Sequence, residues 1–111
     1  DFLSRGALKQ LEDRNKRELN ARERSGIMEV LASARSLLRD VLATLEGVSG
    51  GIVNEDAADI VERLAHATGP VGALAAVEAV SAAERAIARN VTPQLTFEVM
   101  LFDIRKALLC P

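Results

Sequence analysis

Apolar residues recur every three or four positions through most of the chain, and nowhere do they alternate with polar ones for long enough to predict a strand. The clearest stripe is Ile27, Val30, Leu31, Ala34, Leu37, Leu38, Val41, Leu42 and Leu45, with Glu29, Ser33, Ser36 and Asp40 pointing away. It predicts a core-facing helix over residues 27 to 46. A second, shorter helix over 55 to 67 is expected to bury Ala57, Ile60, Val61 and Leu64. A third, over 70 to 89, is rich in Ala and carries Leu74, Val77, Val80, Ile87 and then Val91 on one face. Its Ala73, Ala76 and Ala83 would let a neighbouring backbone come close.

The last segment, residues 93 to 109, has two apolar stripes. At about 100° per residue, Leu95, Val99, Phe102 and Leu109 fall on one side. Phe97, Leu101, Ile104 and Leu108 fall on nearly the opposite side, with Met100 at that stripe's edge. Narrow polar seams, Gln94/Glu98/Arg105 and Thr96/Asp103, separate them. A helix that is apolar on both sides must be covered on both sides. Either it is the central helix of its own bundle, or one stripe meets a partner chain.

Turn chemistry separates these segments. Gly47, Gly50 and Gly51 end one helix, and Gly supplies the positive φ that a helix C-terminus favours. Asn54 is a candidate N-cap, and Glu55, Asp56 and Asp59 place negative charge in the first turns, where the helix dipole favours it. Thr68, Gly69 and Pro70 stop one helix and start the next. Thr92 then precedes Pro93, a cap followed by the residue best suited to the first helical position.

Residues 5 to 24 read differently. Leu8, Leu11 and Leu19 keep helical spacing, but Asn15 and Arg22 break the stripe. Arg5, Lys9, Arg14, Lys16, Arg17, Arg22 and Arg24 face Glu12, Asp13, Glu18 and Glu23 in number, a weak basic excess. We read a charged connector helix over 1–24 that contacts solvent rather than DNA, followed by a bundle domain over 25–111. Ser25 and Gly26 are where the connector would bend or break, at a cost of roughly 1 kcal/mol. The whole is an all-α bundle of about five helices with no sheet.

Composition adds limits. A chain of 111 residues supports one core, and a formal charge of -2 with 27% charged residues describes an ordinary globular domain. Only three residues are aromatic, all Phe, which leaves little for stacking on bases. The lone Cys110 and lone His66 assemble no metal or nucleophile site. The glycines after residue 46 follow no strand and precede no Lys-Ser/Thr, so they make no phosphate loop. No enzyme activity, cofactor, metal, small-molecule substrate or membrane contact is expected, and the compartment expected is the cytoplasm. The start at Asp-Phe-Leu suggests a piece of a longer protein. Glu84, which falls inside the apolar stripe between Val80 and Ile87, needs a partner: Arg35, Arg39 or the exposed N–H groups at the start of the Pro93 helix.

The run Ala83-Glu84-Arg85-Ala86-Ile87-Ala88-Arg89-Asn90-Val91-Thr92-Pro93-Gln94-Leu95, continuing Phe97-Glu98-Val99-Met100-Leu101, resembles the Asn-Val-Asn-Pro-Gln-Leu…Leu-Glu-x-Leu-Leu signature of the delta-prime subunit of bacterial DNA polymerase III, a sliding-clamp loader component. The stretch from Leu8-Lys9-Gln10-Leu11-Glu12 to Arg39-Asp40-Val41-Leu42 looks like the helix that opens the same domain. Thr92 stands where Asn is usual and Phe97 where an aliphatic residue is usual; both keep the helix-start and packing chemistry.

The resemblance implies a collar domain, a five-helix bundle that holds the ring of ATPase-type subunits together and hydrolyses nothing itself. Its parent complex would serve the DNA polymerase holoenzyme. Partners would be the gamma/tau and delta subunits, with interface candidates Phe97, Met100, Leu101, Ile104, Arg105 and Leu108. Glu84, Asn90, Thr92 and Glu98 would be structural polar residues. The alternative is a stand-alone helical adaptor or homodimerisation module, with the double-striped helix as its seam.

Overall fold

The computed structural model describes the backbone of residues 2–48 and 52–109 and the side chains of 4–48 and 52–108. Gly50, Gly51, Cys110 and the side chain of Leu109, on which sequence expectations fell, lie outside the described residues. The described chain is all α: helix α1 (Phe2–Leu45), a 3-10 turn (Glu55–Ala57) leading into α2 (Ala58–Ala67), then α3 (Pro70–Ala88) and α4 (Pro93–Leu109). There are four α-helices rather than about five, because the expected connector and the expected 27 to 46 helix are one continuous helix. Gly26 does not interrupt it. A mid-helix glycine costs about 1 kcal/mol, which is less than a break would cost in lost backbone hydrogen bonds.

Every side chain described from residue 4 to 26 is exposed, and the first of these to border the bundle are Asn20, Glu23 and Arg24, which line a hollow with Asn90, Val91 and Pro93 at the α3–α4 turn. The bundle begins at Ile27. From there α1 packs on α3 through Leu31 and Leu38, which join Ala76, Val80, Ala83, Ile87 and Met100 in the main core. A second cluster, Val41, Val61, Ala65 and Ala73, holds α2 against the end of α1. The molecule measures 68 × 28 × 17 Å. A 44-residue helix at about 1.5 Å per residue is about as long as the first dimension, so α1 runs nearly straight.

The central element is α3, which packs against both α1 and α4. Its Ala73, Ala76 and Ala83 are buried as the sequence implied. Gly72 takes the close approach further. A Cβ on it would stand 2.6 Å from the carbonyl oxygen of Ala107, so the start of α3 and the end of α4 meet backbone to backbone. The stripe on α3 is narrower than expected, for Leu74 is exposed, as are Val30 on α1 and Ile60 on α2. Three neighbouring helices are too few to cover every apolar position on elements this slender.

Two helix ends follow one pattern. At the end of α1, Gly47 has φ +69, its N–H bonds to Thr44 O, and Val48 N–H reaches Ala43 O. At the end of α3, Asn90 has φ 64, its N–H bonds to Ile87 O, and Val91 N–H reaches Ala86 O. These are Schellman closures, with Asn90 in the place usually held by glycine.

Two polar expectations change. Asp40 does point away from the α3 side of α1, yet it is only 2% exposed. Residues 53 and 54 fold over it: Val53 N–H donates to Oδ1 at 3.0 Å, and Asn54 N–H and Nδ2 each donate to Oδ2 at 2.7 Å. Asn54 accordingly makes no side-chain cap on the turn that follows it. Its amide is directed back to Asp40 and to Ser36 Oγ at 3.1 Å instead.

Candidate interaction surface

Helix α4 is covered on one side only. Met100 is buried, and Phe97, Ile104, Ala107 and Leu108 pack beside it against the α1/α3 core. Thr96, placed by the sequence in a polar seam, is buried too, and its hydroxyl bonds to Thr92 O at 3.0 Å. The opposite stripe is open: Leu95 and Val99 are each 53% exposed and Phe102 66%. Among the six interface candidates, then, Phe97, Met100, Ile104 and Leu108 are engaged within the chain, whereas Leu101 and Arg105 face solvent. Periodicity drew both stripes equally well. Only the packing of α3 distinguishes them.

The open stripe borders a groove between α3 and α4, on the side away from α1. Near the α3–α4 turn its wall is Ala82, Ala86, Val91, Leu95 and Val99. Further along it widens to a cleft of about 820 Å³ floored by Gly72, Ala75, Ala79 and Ala82 and edged by Val71, Glu78, Asp103 and Lys106. A floor of alanine lets another helix lie close, exposed Val71, Leu95 and Val99 supply apolar contact along it, and Phe102 is exposed on the same stripe of α4. Together they form a larger apolar area than isolated surface residues would.

The structural polar residues are found as follows. Glu84 Oε1 lies 3.4 Å from Arg35 Nε, one of the partners the sequence offered. The pair is ionic without a well-formed hydrogen bond, since Oε1 is buried and has no hydrogen-bond partner. Asn90 closes α3, as described above. Thr92 serves α4 through its carbonyl, which accepts from Thr96 N–H at 3.0 Å. Glu98 is exposed and accepts from Gln94 Nε2 at 3.5 Å, a weak contact.

Among the described residues, folding alters the carboxyl of Asp40. Burial pushes its carboxyl pKa up, but the N–H groups of Val53 and Asn54 and the Asn54 side chain stabilise the carboxylate more, and the net direction is downward. Because its oxygens are occupied by the chain's own donors, it is a structural anchor. His66 is exposed in the last turn of α2. Among the described residues no three His, Cys, Asp or Glu side chains gather at metal-binding distance, and no helix is long and apolar enough to cross a membrane.

Sequence reasoning missed the burial of Asp40 and the role of Gly72. A glycine inside an alanine-rich helix was the available signal for the second. Nothing local could have marked the first, because the donors come from 13 and 14 residues away.

A family model described as DNA polymerase III, delta subunit, C terminal, matches residues 13–106. No curated protein and no solved structure matches the chain.

Proposed function

Because the chain belongs to the family of C-terminal domains of the DNA polymerase III delta subunit, part of the clamp loader, we propose that it is a collar domain that joins its parent protein to the gamma/tau and delta subunits of the loader. The observation that carries this reading is the one-sided covering of α4. Leu95, Val99 and Phe102 stay open beside a small-residue groove, and a helix of a neighbouring subunit is their natural cover. A heterologous arrangement suits a ring, since each domain then offers different surfaces to its two neighbours. The family match names the delta subunit, whereas the signature-like run from Asn90 to Leu95 favours the delta-prime position, which is the one we propose.

Association would serve replication by holding ATPase-type neighbours in place, without turnover by this domain. The second reading, a homodimerisation module, rests on the same open stripe. Light scattering on the chain alone and mixed with the other loader subunits separates them. The collar reading expects a monomer that joins the mixture; a stable homodimer indifferent to the other subunits would overturn it.

A further inference from the structure

Counted along the sequence, the charges of the first helix nearly balance, but the continuous α1 sorts them by face. At about 100° per residue, Arg14, Arg17, Arg24, Arg35 and Arg39 fall within a sector of about 80°, spread over about 37 Å of helix. The positions between them on that face, Ala21, Met28 and Ala32, are uncharged, and no Asp or Glu of α1 lies within the sector. Had the chain bent at Gly26, the two groups of arginines would point in different directions. The unbroken helix aligns them.

The acids closest to this face leave it basic. Glu18 pairs with Arg14 at 3.5 Å, and Glu84 of α3 pairs with Arg35 at 3.4 Å. Asp13 stands at the sector's edge. Arg17, Arg24 and Arg39 are exposed and outside the described ion pairs. Charge is also divided along the chain: α1 carries nine basic and six acidic residues, whereas residues 46 to 111 carry five and nine. The near-neutral total conceals a basic rod attached to an acidic bundle.

We infer that this arginine face of α1 binds the phosphate backbone of duplex DNA, without reading its sequence. The ligand follows from the chemistry of the face. A straight line of guanidinium groups over about 37 Å matches the roughly 34 Å repeat of a B-form duplex, whose phosphates arginine engages in bidentate fashion. The face has no aromatic residue on which a single-stranded base would stack. It also lacks the apolar wedge that an interfacial helix inserts into lipid, as its only large apolar residue, Met28, is half-buried in the bundle.

The test is fluorescence anisotropy of a labelled duplex of about two helical turns, with a single strand and equimolar phosphatidylcholine–phosphatidylserine vesicles as competitors. Three to five phosphate contacts predict an affinity that falls about 40- to 500-fold between 50 and 200 mM salt. The variant Arg17→Gln/Arg24→Gln/Arg39→Gln should lower the salt slope by about 3 and weaken binding accordingly. The charge-matched variant Arg5→Gln/Lys9→Gln/Lys16→Gln, which alters a face roughly 120° away, should retain most of the affinity. All six positions are exposed, and far-UV circular dichroism checks that both variants stay helical. Equal losses in the two variants, absence of duplex binding by the unaltered chain at 50 mM salt, or preference for the single strand or the vesicles would each overturn the inference.

Discussion

Asn54 holds Asp40 twice, donating from its backbone N–H and from its side-chain amide to the same carboxylate oxygen, each at 2.7 Å. With Val53 N–H on the other oxygen, this links the segment before α2 to α1. Asp40→Ala removes the acceptor for three donors and should lower stability by about 2–3 kcal/mol, read from urea unfolding. Asp40→Asn should lose a similar amount, since it presents a donor where an acceptor is needed. The pH dependence follows from the downward shift. The carboxyl's folded pKa lies below its ordinary 3.8, so its contribution is complete above that value and is lost as pH falls through the folded one. The stability gap between the unaltered chain and Asp40→Asn should be constant down to about pH 4 and shrink on further acidification. A gap that widened in acid would contradict the account.

Two glycines inside helices should respond oppositely to alanine. Gly26 has nothing within 4 Å of where a Cβ would sit, and Gly26→Ala should stabilise α1 by about 0.5–1 kcal/mol through helix propensity. Gly72→Ala carries the same intrinsic gain but places its methyl 2.6 Å from Ala107 O, which is backbone and cannot rotate aside. The helices must separate, with a net loss of about 1–3 kcal/mol. Thermal unfolding by circular dichroism compares the pair directly.

Asn90 tests the closure of α3. Its φ of 64 is favourable for Gly, tolerable for Asn and costly for other residues. Asn90→Gly should keep or slightly raise stability, whereas Asn90→Val should lose about 1–2 kcal/mol. Equal midpoints for Val and Gly would mean that the turn rearranges freely.

The two stripes of α4 make separable predictions. Met100→Asp puts a charge into the core shared with Leu31 and Ile87 and should prevent stable folding. Val99→Asp and Phe102→Asp alter exposed positions and should change stability by no more than about 0.5 kcal/mol. On the collar reading, the same two variants should fail to co-elute with the other loader subunits in size-exclusion chromatography. Retained co-elution would move the interface elsewhere on the domain.

Local and periodic features were legible without the structure. Helical spacing drew α2, α3, α4 and both parts of α1, turn residues marked the breaks after Leu45, Ala67 and Ala88, and the carboxylate between Val80 and Ile87 called for a partner, of which Arg35 was one candidate among several. These follow from interactions over a few residues, where composition dictates conformation. Packing between distant segments settled which stripe of α4 faces inward, that Asp40 is an anchor rather than a surface acid, and that α3 rather than α4 is central. Each depends on groups brought together from far apart in the chain, and two stripes of equal hydrophobicity look alike until a neighbour chooses one. The fate of Gly26 lies between these cases: the sequence shows a weak point in the helix, and only the intact α1 of 44 residues shows that its arginines share a face.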